Sequence, residues 1–140
     1  MNFPQKIVNK MFDQDAFSQF MGIEIVDVSK GYCQLKMTVR EEMLNGFQIA
    51  HGGISYSLAD TALAFASNTY GKKCVSMETS ISHTEGVQAG DILTAKTEEL
   101  SHTEKIGLYL ITISNQDNKE IAYFKGTVYR TSKDWFSEDE

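Results

Sequence analysis

The chain has 140 residues, 41% of them hydrophobic and 23% charged, with a single proline. That is the composition of one globular domain, and it excludes collagen-like and low-complexity classes. Thirteen basic residues against nineteen acidic ones give a formal net charge of -6, and no run of Lys and Arg offers nucleic acid a basic face.

The chain opens MNFPQKIVNKMFDQD, where acidic and polar residues interrupt any signal-peptide apolar core. No apolar run approaches the roughly 20 residues that a membrane span needs. Cys33 and Cys74 are too far apart for a CxxC motif and read as free thiols in a reducing cytoplasm. Residues 1–22 are expected to form short helices: Ile7, Val8, Met11 and Phe12 share one helical face after Pro4, and a second turn around Asp15 to Phe20 carries Phe17, Phe20 and Met21. At Ile23 the period changes. Ile23–Val28 is β-branched and apolar-rich, Lys30-Gly31 reads as a turn, and Tyr32–Arg40 alternates. Cys33, Leu35, Met37 and Val39 point one way, and Gln34, Lys36, Thr38 and Arg40 the other, as in a half-buried hairpin.

From about Ala50 to Tyr70 the alternation disappears. This stretch is rich in alanine and stops at Gly71, so it predicts a helix, buried all round in its second half. Four strand-like stretches follow, at 74–83, 91–100, 106–114 and 121–130, with Asn115–Asn118 as a turn. One helix among strands predicts an α+β fold, an antiparallel sheet wrapped on a central helix. A parallel fold would need more crossover helices. The main domain is expected over 23–133, with an acidic tail at 134–140 that frays.

The stretch Asn45–Asp60 carries most of the chemical information. Gly52 and Gly53 follow His51 at the helix start, where backbone N–H groups are unpaired and the dipole is positive. With no side chain in the way, a carbonyl oxygen or anion can approach those donors, and the oxyanion formed on attack can be stabilised. A glycine pair there is more often only a tight turn. Asp60 shifts the balance, because it lies in the apolar run LADTALAFA, where an ionised carboxylate is costly unless paired, hydrated or used.

The pattern HGGxxxSLADTAxAxAxNxxG, with Asn45 upstream, resembles the hotdog-fold acyl-CoA thioesterases of the phenylacetic-acid-degradation (PaaI-like) type. The resemblance spans nearly the whole chain, because the element order is also the hotdog order. It implies hydrolysis of a CoA thioester without metal or cofactor, with aryl-acetyl groups suggested by the pathway name. It implies Asp60 as the catalytic carboxylate, acting as general base or as nucleophile, and the Gly52 N–H as the group polarising the carbonyl. Asn45 would position the carbonyl, His51 would line the pocket, and Ser76 would hold the attacking water. Many relatives have a proline in the loop after the strand bearing Ser76, whereas this chain has EGVQAGD over 85–91.

Other residues read as less informative. His83 and His102 are expected to be exposed bystanders, and the histidines lack metal-ligand spacing. Cys33 reads as core, and no GxSxG elbow surrounds Ser55 or Ser57. Phe47, Tyr56, Phe65 and Tyr70 could line an acyl pocket or fill the core. Lys72 and Lys73 read as a solvated pair that could meet a phosphate. A hotdog dehydratase would use a different acid/base pair, and an acyl-CoA-sensing module would need a DNA-binding segment longer than the one before Ile23.

Geometry adds a partner. Gly52 and Asp60 are eight positions apart, about 12 Å along a straight helix at 1.5 Å per residue, too far to serve one carbonyl. Two antiparallel helices across a two-fold axis would bring each glycine to the other chain's aspartate. A homodimer with shared active sites is therefore expected, and the resemblance implies the same, often with dimers paired into tetramers.

Overall fold

The structure, a computed structural model, describes residues 2–137. Two short helices, α1 (Phe3–Asp13) and α2 (Ala16–Phe20), lead into the hairpin β1 (Glu24–Ser29) and β2 (Tyr32–Thr38). After a 3-10 turn at Glu41–Met43 comes α3 (Gly52–Asn68). Strands β3 (Lys72–His83), β4 (Ile92–His102), β5 (Ile106–Ser114) and β6 (Glu120–Asp134) complete the chain.

The hairpin follows the alternation. Cys33, Leu35, Met37 and Val39 are buried and Gly31 turns at φ 75°. The six strands form one antiparallel sheet in the order β1-β2-β4-β5-β6-β3, which wraps α3 so that the helix packs against every strand but β1. Ile7 and Val8 bury α1 against this core, whereas Phe17 and Phe20 of α2 stay exposed while Ser18 and the following Met21 turn inward.

Three features differ from expectation. The second half of α3 is not buried all round: Leu58, Ala59, Ala62, Leu63, Phe65 and Ala66 are buried, but Asp60 and Ala64 continue a half-open stripe from Gly53 and Ser57. These positions recur at the helical period, on the side of α3 that the sheet leaves uncovered. Next, β3 carries a bulge, because Ser76 pairs Val128 while Glu78 pairs Thr127, leaving Met77 extra. The bulge moves the helix-facing positions from Cys74 and Ser76 to Thr79 and Ile81.

The tail also departs from expectation at its start. Asp134 ends β6 and pairs with Lys72 at 2.7 Å. Trp135 then donates its backbone N–H to Gly71 O (2.9 Å) and its indole N–H to Asn68 Oδ1 (2.7 Å). The same Asn68 oxygen takes the Cys74 N–H at 2.9 Å, so one buried amide ties the end of α3 to β3 and to the chain's last described turn. Residues 138–140, where fraying was expected, lie outside the described residues.

Candidate active site

The start of α3 is built by its N-cap. His51 Nδ1 accepts the Gly53 N–H at 3.1 Å, which fixes the proton of a neutral His51 on Nε2. The Ile54 N–H goes to His51 O (2.9 Å), and the His51 N–H goes back to Met43 O (2.9 Å). The Gly52 N–H has no partner among the described residues. It is the kind of donor the glycine pair predicted, unpaired at the positive end of a 17-residue helix.

Asn45 stands beside it. Its Oδ1 accepts the Phe47 N–H at 2.8 Å, which assigns the amide orientation and leaves the Nδ2 donors unpartnered among the described residues. Asn45, Ile49, Gly52, Ser55, His83 and Glu85 line a cleft of about 170 Å³. The 85–91 loop forms its far wall, with Val87 buried and its carbonyl accepting the Ala50 N–H at 2.7 Å. The loop thus braces the turn into α3 without a proline.

Asp60 opens elsewhere. With Leu63, Ala64, Cys74, Ser76 and Val128 it lines a crevice of about 80 Å³ between α3 and β3. Its carboxylate makes no hydrogen bond among the described residues. Burial, and then the nearby charge of Asp15, raise its pKa above the ordinary aspartate value. Ser76 faces the same crevice.

The structure therefore divides the expected site residues. Asn45 and Gly52 share one cleft, Asp60 and Ser76 share another, and His51 is an exposed cap that lines neither. A larger hollow, about 410 Å³, contains none of them. Polar and charged residues of β2, β4 and β5, the Asn115–Asn118 turn and Glu120 line it.

His83 corrects the bystander reading. Although exposed, it places Nε2 3.2 Å from Gly52 O. The signal that could have found it was direction, because a strand that directly follows a helix runs back along it toward the helix start. His102 is also engaged: its ring packs at a tilt against Tyr70 (ring centroids 4.1 Å apart) and sits 3.1 Å from the buried Arg130. Cys33 is core, and burial drives its thiol far upward in pKa. Among the aromatics, Phe65 is core and Phe47 is 86% exposed. Tyr56 packs on Phe124, and Tyr70 bonds Glu99 beyond the end of α3. Lys72 pairs with Asp134, and Lys73 lies over the Trp135 ring at 4.8 Å.

Comparison with known proteins identifies the family. The thioesterase superfamily pattern matches residues 47–122. The acyl-coenzyme A thioesterase PaaI of Escherichia coli is 39% identical over 120 residues, covering 86% of this chain and 86% of that protein. The structure of the E. coli PaaI protein from the phenylacetic acid degradation operon superposes with a TM-score of 0.92, over 94% of this chain and 95% of that one, at 36% identity. A hypothetical thioesterase protein of Streptococcus pneumoniae, determined with coenzyme A, superposes at 0.83 with 26% identity, over 89% of this chain and 98% of that one. The chain belongs to the thioesterase superfamily. It has the hotdog fold and is a thioester hydrolase.

Proposed function

We propose that the chain is a cytoplasmic acyl-CoA thioesterase whose active sites form between two antiparallel copies of α3. The observation that carries this reading is the division of the site. The free Gly52 N–H and the Asp60 carboxylate belong to one helix but open into different clefts, so each needs the other kind of half-site from a second chain. The surface is suited to pairing. β3 is a 12-residue sheet edge that exposes Val75 (56%) and Met77 (59%), and the half-open stripe of α3 lies beside it. Both cysteines are free, in keeping with a reducing compartment.

In this reading the thioester oxygen accepts hydrogen bonds from the Gly52 N–H and Asn45 Nδ2, with the α3 dipole assisting. Across the interface, the partner's Asp60 takes a proton from a water that its Ser76 helps to hold. The water oxygen bonds to the carbonyl carbon, and the oxyanion rests on the Gly52 donor. Collapse breaks the C–S bond, and the proton on Asp60 passes to the departing CoA sulfur, leaving free acid and CoA thiol. A carboxylate with a raised pKa is a better proton acceptor, as the general-base role requires.

The test is a panel of CoA thioesters assayed for thiol release. Aryl-acetyl groups come first, given the operon of the E. coli relative. Thiol release that depends on Asp60 supports the reading, and none across acetyl, medium-chain and aryl-acetyl thioesters would overturn it.

A further inference from the structure

The peptide joining Gly52 to Gly53 is held at both ends by imidazoles. His51 Nδ1 accepts its N–H at 3.1 Å, and His83 Nε2 lies 3.2 Å from its carbonyl oxygen. A carbonyl oxygen only accepts, so His83 must carry its proton on Nε2. The ring edge also covers the Gly52 Cα: a methyl placed there would stand 3.2 Å from Cε1, 3.5 Å from Nε2 and 3.9 Å from Nδ1. Glycine has the freest backbone of any residue, and here it carries the unpaired N–H. A clamp on the following peptide removes much of that freedom.

We propose that His83 is a positioning residue for the thioester. By donating to Gly52 O it fixes the Gly52 backbone so that the neighbouring free N–H stays aimed into the Asn45 cleft. His83 touches no reacting atom in this role. The inference rests on the function proposed above, and it also changes what Gly52→Ala would mean. The added methyl meets the His83 ring first, so its damage comes from expelling the clamp.

The experiment measures kcat and KM for thiol release by His83→Ala, His83→Phe, His83→Gln, Gly52→Ala and the double variant Gly52→Ala/His83→Ala. Asp60→Asn is run in parallel. His83→Ala and His83→Phe should lose about tenfold in kcat, the upper range of one neutral hydrogen bond, with KM changed less than about twofold. His83→Gln, whose amide Nε2 can donate to the same oxygen, should recover most of the loss. The double variant should be no slower than Gly52→Ala, because both changes remove one clamp. Wild-type kcat in His83→Phe, a His83→Gln as slow as His83→Ala, or defects that multiply in the double variant would each overturn the proposal. An inactive Asp60→Asn beside a fully active His83→Ala removes this inference alone. A fully active Asp60→Asn removes the proposed function and this inference with it.

Discussion

Asp15 and Asp60 bring two acidic groups close together, and the charge of Asp15 adds to burial in raising the Asp60 pKa. Asp15 is held in place by its own helix: its carboxylate caps α2 by accepting the Ser18 N–H (3.0 Å) and the Ser18 hydroxyl (2.6 Å). Ser18 Oγ then sits 3.0 Å from Thr61 Oγ1, one residue beyond Asp60. An N-terminal segment outside the sheet thus tunes the carboxylate on the central helix.

The pH dependence follows from that pair. The base role proposed for Asp60 needs the ionised carboxylate, so kcat/KM should rise with pH through its raised pKa. Asp15→Asn keeps the capping oxygen but removes the charge. The acidic limb of the profile should therefore move to lower pH. A limb left in place by Asp15→Asn would show that the Asp15 charge does not reach Asp60.

Asp60→Asn should separate activity from stability. Loss of the base should lower kcat by about 10²–10⁴-fold. Stability should respond in the opposite sense. A carboxyl whose folded pKa is raised contributes most favourably below its unfolded pKa, and that contribution is lost as pH rises through the folded value. At pH 7 the ionised Asp60 is thus a cost to the fold, and the Asn variant should melt no lower than its parent. A clearly lower melting temperature with activity retained would reverse both assignments.

Sharing of sites between chains can be read from mixtures. In the proposed dimer, Asp60→Ala and Gly52→Ala are each damaged in one half-site, so each pure dimer should keep about a tenth of parental activity or less. After subunit exchange a hybrid dimer regains one intact site, and an equal mixture should recover about a quarter of parental activity. No recovery despite exchange proven by mass-tagged subunits would place both groups in the site of one chain.

The β3 edge should hold the two chains together. Met77→Glu puts a charge on the exposed bulge residue, a standard way for sheet edges to refuse partners. Sedimentation should then report monomers with unchanged far-UV circular dichroism, and thiol release should fall with the dimer. A Met77→Glu protein that stays dimeric and active would move the interface to another surface.

Gly126 tests the packing beneath α3. A methyl there would lie 2.5 Å from Leu63 Cδ2 and 3.2 Å from Phe124 Cε1, and both neighbours are buried. Gly126→Ala should cost about 1–3 kcal/mol in urea unfolding, as overpacking of a filled core does. An unchanged midpoint would mean that Leu63 has room to move.

Much of the fold could be read from local pattern. The alternation of Tyr32–Val39 reports which face the strand buries, and the alanine-rich run before Gly71 predicts a helix, and both elements formed. Pattern does not reveal which distant segment covers a face. The open stripe through Asp60 arises where the sheet fails to reach around α3, and no local composition encodes that. The bulge at Met77 resets the alternation of β3, so inward positions cannot be counted from the strand start. The paired glycines and Asp60 were legible because each breaks a local rule. His83 was not, because its partner lies 31 residues away and only the return of β3 joins them.

The chain contains one tryptophan, and it is Trp135, bonded to Asn68 at the end of α3 farthest from Gly52. Its indole lies where the helix terminus, β3 and the last described turn meet, and it lines neither the Gly52 cleft nor the Asp60 crevice. Emission from this one indole therefore reports on the closure of the domain where α3, β3 and the last described turn meet. Unfolding can be followed without adding a label, and cleavage of the chain before residue 135 would remove both the signal and the bonds to Asn68 and Gly71.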